Sequence, residues 1–391
     1  MVRRYEARGL GYFLIFLKIL KYITEMNYMK YITAVLAIAI AANAFAGNPD
    51  RRGTNGGEQL LINPWARSNG WANVNTSSVQ GIEATWINVA GLAHTKQTEL
   101  VFSHTRYLAG ININNFGLSQ VMGKSGGVLG LSLMNINSGD IQRTTYQQPE
   151  GGLGTYSVQF TNLAMSYAKK FSEKISGGML VRFISEGTAE VTGSTTTLDA
   201  GVQYRTATSG DEQIRRLKGN DFKLGISVKN IGPDISYAGD GMSIRTQDPT
   251  KPYSSTTQQR SAKDGMPSVV NIGMSYDFRL DKGAEVYFSR LTLAGNFTSH
   301  SYQDNTGAMG LEYAYKNFFM LRSGLLYQKG IFSSDARNTA YTGFHAGFTL
   351  ELPFGKNKSS FALDYSFKQT KPFGNMHTFG VRIDLGGKDN D

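Results

Sequence analysis

Alternation with a period of two runs through most of this chain. In the final run, Phe379, Val381, Ile383 and Leu385 fall on one side of an extended backbone, and Thr378, Gly380, Arg382 and Asp384 fall on the other. Phe222, Leu224, Ile226 and Val228 alternate with Lys223, Gly225, Ser227 and Lys229; Phe361, Leu363, Tyr365 and Phe367 alternate with Ala362, Asp364, Ser366 and Lys368. A β-strand sends successive side chains to opposite faces, so each run has one apolar face and one face of charge, hydroxyl or glycine. The pattern, punctuated by Gly, Asn, Asp and Ser clusters, predicts strands at 98–107, 111–121, 126–138, 155–171, 174–187, 193–206, 220–231, 268–280, 284–299, 306–316, 318–331, 337–351, 358–370 and 374–385. After residue 46 no helical period persists over several turns, apart from a short helix predicted near Val79 to Ile87.

Strand length separates the membrane from the soluble case. Most of these runs have ten or more residues, whereas a tilted transmembrane strand needs about 9–11 and the usual soluble strand has about 5–6. In hydrocarbon every backbone N–H and C=O must be paired, which forces a sheet to close. The predicted fold class is therefore all-β: a 14-stranded antiparallel transmembrane β-barrel over 98–391, in the outer membrane, with lipid outside and a polar lumen. An even strand count places both chain ends in the periplasm. With the first strand running outward, the periplasmic links are short: Gly123-Lys124-Ser125, Ser172-Glu173, Asp281-Lys282-Gly283 and Asn317. The outer links include the longer Gly139 to Gly154 and Gly232 to Pro267, the asymmetry usual for such barrels. The 207–219 link is the exception.

Composition agrees. Among 391 residues there are 45 glycines and 9 prolines, and 12% of residues are aromatic, which suits Gly-rich strands with aromatic girdles. There is no cysteine, which excludes a disulfide framework, a thiol nucleophile, a zinc–thiolate site and a lipoprotein anchor. Residues 1–46 read as a targeting segment. Met29-Lys30 precedes the apolar Ile32 to Ile40, and Ala44-Phe45-Ala46 is a small-x-small site with cleavage expected after Ala46. A second apolar patch, Phe13 to Leu17, is broken by Lys18 and Lys21 and falls short of the ~20 residues of a spanning helix. Residues 1–25, or 1–28, are read as an extension upstream of a natural start at Met26 or Met29; the alternative is an N-terminal membrane anchor. The formal charge is +10. Six Lys/Arg against two Asp/Glu in the first 46 residues account for +4, leaving +6 for the rest. Those basic residues are dispersed along alternating strands, which fits a wet lumen and loops rather than nucleic acid.

Residues 47–97 precede the first strand and hold all three tryptophans, Trp65, Trp71 and Trp86. They are too long and too apolar for a free tail and are read as a plug folded into the lumen. The alternative is a periplasmic tail. Arg67, Asn88 and Gly91 belong to the two motifs of this segment, Pro64-Trp65-Ala66-Arg67 and Asn88-Val89-Ala90-Gly91-Leu92.

At four places the chain resembles the PorV/PorQ family of Bacteroidetes, within the wider FadL-like fourteen-stranded barrels. They are Leu61-Ile62-Asn63-Pro64-Trp65-Ala66-Arg67-Ser68-Asn69-Gly70; Asn88-Val89-Ala90-Gly91-Leu92-Ala93; Gly225 through Lys229-Asn230-Ile231-Gly232-Pro233 to Tyr237; and Pro267 through Asn271-Ile272-Gly273-Met274-Ser275-Tyr276. Val89 stands where the family usually has proline, and the C-terminus ends Lys388-Asp389-Asn390-Asp391 without a terminal aromatic. The resemblance implies an outer-membrane accessory of the type IX secretion system, with translocon components and the C-terminal signal domains of secreted cargo as partners.

No enzyme, cofactor or metal is read from the residues. The five histidines, His94, His104, His300, His345 and His377, show no metal-ligand spacing. No nucleophile-elbow motif occurs, and Gly151-Gly152-Leu153-Gly154 lacks the strand–loop–helix setting of a phosphate cradle. His345 falls on the polar face of its strand and is read as a lumen histidine. Asp234, Asp240 and Asp248 are scattered in a glycine- and serine-rich loop, which reads as solvated rather than calcium-binding. Two functions follow. One is an interaction protein that holds secretion partners through the 232–267 loop, with Tyr237, Met242 and Tyr253 as contact residues. The other is a FadL-like transporter of hydrophobic small molecules.

Overall fold

The computed structural model describes residues 47–123, 126–206, 221–247, 250, 253–280, 289–355 and 359–386. The targeting segment, the 207–219 link and the last five residues lie outside the described residues. Fourteen long strands, numbered here in chain order, are β1 (Thr98–Arg106), β2 (Asn112–Val121), β3 (Val128–Asn137), β4 (Gln159–Lys170), β5 (Ile175–Gly187), β6 (Thr192–Arg205), β7 (Asp221–Ile231), β8 (Val269–Arg279), β9 (Ser289–His300), β10 (Thr306–Tyr315), β11 (Phe319–Tyr327), β12 (Tyr341–Phe354), β13 (Ser359–Thr370) and β14 (Met376–Leu385). Each pairs antiparallel with its neighbours in sequence, and β1 pairs with β14 from Thr98↔Leu385 to Arg106↔His377, so the sheet closes. The fold class expected from sequence is the fold observed.

The alternation decides which face is which. Serine, threonine and carboxylate positions such as Ser103, Ser132, Ser166, Asp199, Ser227, Thr349 and Asp364 are buried toward the bore. Phe102, Leu131, Met165, Val202, Ile226, Leu311, Leu321, Leu363 and Phe379 are exposed on the outer surface. This inversion of the soluble pattern leaves an apolar band around the whole cylinder, far larger than a soluble monomer exposes, and lipid is what covers it.

Boundaries differ where local chemistry intervenes. The strand expected from 155 begins at Gln159, because Thr155–Tyr156 folds back on Ile141–Gln142 as a separate small hairpin. Expected strand 318–331 stops at Tyr327, and 337–351 runs instead from Tyr341 to Phe354 with a bulge between Tyr341 and His345. Gly343, at φ 91°, absorbs that bulge, a conformation costly for any side chain with a Cβ. The helix expected near 79–87 is a single turn, Ala84–Ile87, because Gly81, three residues before it, takes φ 75°.

The rims are unequal, with the 138–158 and 232–268 connections on the outer one and the turns at 171–174 and 316–318 on the inner one. The chain before β1 begins on the outer rim. Arg52 pairs with Asp304 at 2.5 Å, and Asn55 bridges Gly265, both in outer connections. From there the backbone descends inside the cylinder and reaches β1 at the inner rim. Thr98 of β1 and Leu385 of β14 pair at that inner rim, so the two ends of the barrel lie together there, as expected.

An arginine placed on the apolar band at Leu311 (Leu311→Arg) is expected to destabilise the barrel by about 2–4 kcal/mol. Urea unfolding in lipid vesicles measures it, with loss of heat-modifiable gel mobility as the readout.

Candidate functional site

The luminal segment winds around the inside of the wall in strand order, and the wall is cut to fit it. Ala66 lies against Gly380 of β14, Gly70 against Gly347 of β12, Trp71 against Gly324 of β11, Val74 against Gly310 of β10, and Thr76 and Ser77 against Gly273 of β8 and Gly225 of β7. The path continues with Asn88 at Gly201 of β6 and Val89 at Gly178 of β5, while Ile82 covers Gly130 and Gly117 of β3 and β2. A Cβ added at Gly347 would lie 2.7 Å from the Gly70 Cα, at Gly310 2.6 Å from Val74 Cγ2, and at Gly117 2.6 Å from Ile82 Cγ1. Ten strands thus give up a side chain at the same belt, because backbone and small side chains of residues 66–92 occupy that volume.

The residues of the luminal segment singled out by sequence all lie within this arrangement. Trp65, Trp71 and Trp86 are buried inside the cylinder. Trp86 is stacked under the Arg182 guanidinium, 4.4 Å from its ring centroid, and its carbonyl accepts a 2.5 Å bond from Lys229 Nζ. Arg182 also donates to Asp199 at 2.8 Å and to the Thr85 carbonyl at 3.1 Å. Arg67 meets Glu83 at 3.3 Å and donates to the Gln80 carbonyl at 2.7 Å, folding the segment on itself. Burial works against the Arg67 charge, but Glu83 and the carboxylates beyond it prevail and hold its pKa above the ordinary value. Asn88 caps the 3-10 turn Val89–His94 through Ala90 N–H and donates to the Val202 carbonyl of the wall at 3.1 Å. Gly91 donates no side chain because Val79 O fills that space. His345 Nδ1–H donates to the Asn69 carbonyl at 2.9 Å.

Two further features carried no motif. The first is a run of alternating charge around the inner half of the bore. Asp221 and Lys223 of β7 lead to Asp277, then Arg290, Glu312 and Arg322, with Lys223–Asp277 and Arg290–Glu312 at 2.5 Å and Arg322–Glu312 at 2.6 Å. Thr349 links Arg322 to Asp364, and Arg382 closes the run on Glu351 and Asp384 at 3.1 and 2.7 Å. Eight consecutive strands take part, around a cleft of about 190 Å³ between wall and luminal segment. Along β2, β3 and β4 the buried inward positions are uncharged among the described residues, with Ile113, Asn115, Ser132, Met134, Phe160 and Ala164 among them. The second feature is the outer half of the bore. There Ile113, Met134, Ile136, Phe160 and Ile184 pack with Leu60 and Trp65 of the segment and with Ile235 and Met266 of the outer connection, with Tyr107 and Ile111 partly buried against them. Each wall residue of this cluster was visible as an apolar position on a polar face, a departure too isolated on any one strand to be read alone.

The three loop residues do not form one patch. Tyr237 pairs with Gly193 at the edge of the wall and donates its hydroxyl to Glu186. Burial, then that carboxylate, raise its pKa above the ordinary phenol value and keep it a donor. Met242 ends a 3-10 turn, Asp240–Met242, whereas Tyr253 is 60% exposed beside the hairpin of Ser243–Gln247 and Ser254–Gln258.

A closed, even-stranded antiparallel cylinder with a continuous apolar belt, short inner turns and long outer loops defines an outer-membrane β-barrel. No protein-family model and no curated protein matches the chain. Among solved structures it is similar to the Pseudomonas putida toluene transporter TodX, at 10% identity, covering 82% of this chain and 97% of that one, with a TM-score of 0.48. It is also similar to a Pseudomonas aeruginosa FadL homologue, at 10% identity over 81% of this chain and 96% of that one, TM-score 0.41. The KdgM porin gives 9% identity over 73% and 99%, TM-score 0.30.

Gly324→Leu is expected to push the Trp71 stretch off β11 while the barrel stays closed. Because every tryptophan is luminal, a red shift in tryptophan emission at unchanged heat-modifiable mobility reports it. Arg182→Met leaves Asp199 buried without its cation and is expected to cost about 3–5 kcal/mol, read as a lowered urea midpoint.

Proposed function

We propose that this barrel takes up hydrophobic small molecules from the outer face, with residues 55–97 acting as a plug that denies water a path. One observation supports this most: along β2 to β5 the outer half of the bore is apolar inside an otherwise polar cylinder. A channel for polar solutes gains nothing from a lining of Ile113, Met134, Ile136, Phe160 and Ile184. An apolar solute gains about 25 cal/mol for each Å² it buries there. On this reading the guest replaces contacts made by Leu60 and Trp65, and the inner charged run holds the plug while it does so.

A second reading, an accessory of the type IX secretion system that binds translocon components or cargo C-terminal signal domains, is favoured by the outer loops. The hairpin of Ser243–Gln247 and Ser254–Gln258 stands apart from the barrel sheet and carries exposed Ile244, with exposed Tyr253 at its turn end. Apolar side chains displayed on polar loops outside the membrane are what a protein partner covers.

Organic extraction of the purified barrel, followed by mass spectrometry, is expected to yield apolar small molecules. Met134→Ser is expected to reduce hydrocarbon uptake by cells about tenfold, since it puts an unpaired hydroxyl in the apolar bore. An empty extract together with unchanged uptake would refute the transporter reading. Deleting 240–262 is expected to leave the barrel folded; if secretion components co-purify with the intact chain and are lost with this deletion, the second reading stands.

A further inference from the structure

Two buried amides interrupt the apolar part of the bore, and neither reading accounts for them. Asn115 of β2 and Asn162 of β4 face inward and are 2% and 1% exposed. Register sets Met134 of β3 between them, since Asn115 pairs with Met134 and Met134 pairs with Asn162. The next inward position toward the outer rim is Ile113 on β2 and Phe160 on β4, and the partner of Asn162 on β5 is Ile184. Both amides thus lie in the wall of the cluster that Leu60 and Trp65 fill from the inside. A Cβ at Gly117, the inward residue of β2 after Asn115, would lie 2.9 Å from Trp65 Cη2. The ring that a guest displaces is therefore the one beside Asn115.

The nitrogen and the oxygen of each amide are enclosed, and none of the four atoms meets a hydrogen-bond partner among the described residues. This is not a property of the whole row: Ser103, which pairs with Asn115, donates to the Pro64 carbonyl at 2.8 Å. An unpaired buried amide destabilises a fold, and a leucine of similar volume would pack there without that cost. Two such amides on either side of one methionine call for a partner that arrives from elsewhere. Its chemistry follows from what surrounds them. Arg182, two residues inward of Ile184, is engaged by Asp199 and the Trp86 ring, and Glu186, two residues outward, repels an anion. An ammonium donates without accepting and leaves the amide N–H groups unmet; a ketone accepts without donating and leaves the amide oxygens unmet. A hydroxyl does both. Two strand spacings, about 10 Å, separate the two backbones, so the hydroxyl lies over Met134 or on one side of it.

We propose that the guests of this barrel are apolar molecules bearing a neutral hydroxyl, alcohols or phenols. Asn115 and Asn162 hold the hydroxyl while the hydrocarbon part takes the place of Leu60 and Trp65. The proposal rests on the transporter reading and narrows it, because a bare hydrocarbon fits the lining but leaves the amides unpaired. Full-length protein in lipid nanodiscs is dialysed to equilibrium with ethylbenzene, benzyl alcohol, benzylamine or phenylacetate, benzyl compounds that differ only in the terminal group, with protein-free nanodiscs as the blank. Saturable binding of benzyl alcohol is expected, weakened about tenfold in Asn115→Leu and in Asn162→Leu, the loss of one hydrogen bond. Ethylbenzene is expected to bind both variants at least as tightly as the native chain. The urea midpoint of each variant is expected to rise, because leucine removes an unpaired amide. A lowered midpoint or failure to fold would make the amides part of the fold and overturn the proposal. Benzyl alcohol affinity unchanged in either variant, or binding confined to benzylamine or phenylacetate, would overturn it as well. If ethylbenzene binds and benzyl alcohol does not, this inference falls and the transporter reading stands; if none of the four binds, both fall.

Discussion

Nine residue pairs, from Thr98–Leu385 to Arg106–His377, join the first strand to the last. Without them two strands would present unpaired N–H and C=O groups to hydrocarbon, each costing several kcal/mol. Closure also fixes the circumference of the bore and turns every second side chain into it. Those inward positions are polar, so they too must find partners away from bulk water. The charges solve this by pairing across strands; Ser227, Gln203 and Lys229 solve it through carbonyls of the luminal segment, at 2.8, 3.1 and 2.5 Å. The segment and the wall therefore complete one another's hydrogen bonding, which a wall built for open water would not need.

Much of this architecture was legible because a strand writes its two faces into the sequence at a fixed period. Phe379 to Leu385 and Phe222 to Val228 gave the orientation of the wall without any knowledge of neighbours. The glycines were visible on the polar faces, as at Gly225 and Gly380, but their purpose was not. The atoms that fill their space belong to Thr76, Ser77 and Ala66, more than a hundred residues away in the chain. The run of alternating charge was hidden for a similar reason. Each strand contributes one or two ionisable residues, and only register shows that Arg290 falls between Asp277 and Glu312.

Loops were the least legible part. Tyr237, Met242 and Tyr253 were grouped because they are close in sequence, yet Tyr237 is bound into the rim by Glu186 while Tyr253 stands exposed. Glu186 itself gave little signal: one acidic residue at the end of a long strand, whose partner lies 51 residues on. Bulges act likewise. Gly343 shifts the end of β12 by a local choice of backbone that hydrophobic period does not encode.

Away from the belt of glycines the bore is lopsided, with side chains of β2 to β4 meeting the luminal segment through aliphatic and aromatic contact while the inner halves of β7 to β14 meet it across charge and a cleft. Solvent is a good substitute for the second kind of contact and a poor one for the first. Any displacement of the segment would thus begin on the ionic side and pivot about the greasy one, as a door swings on its jamb. The aperture so formed would be a crescent against one arc of the cylinder, not a round hole along its axis.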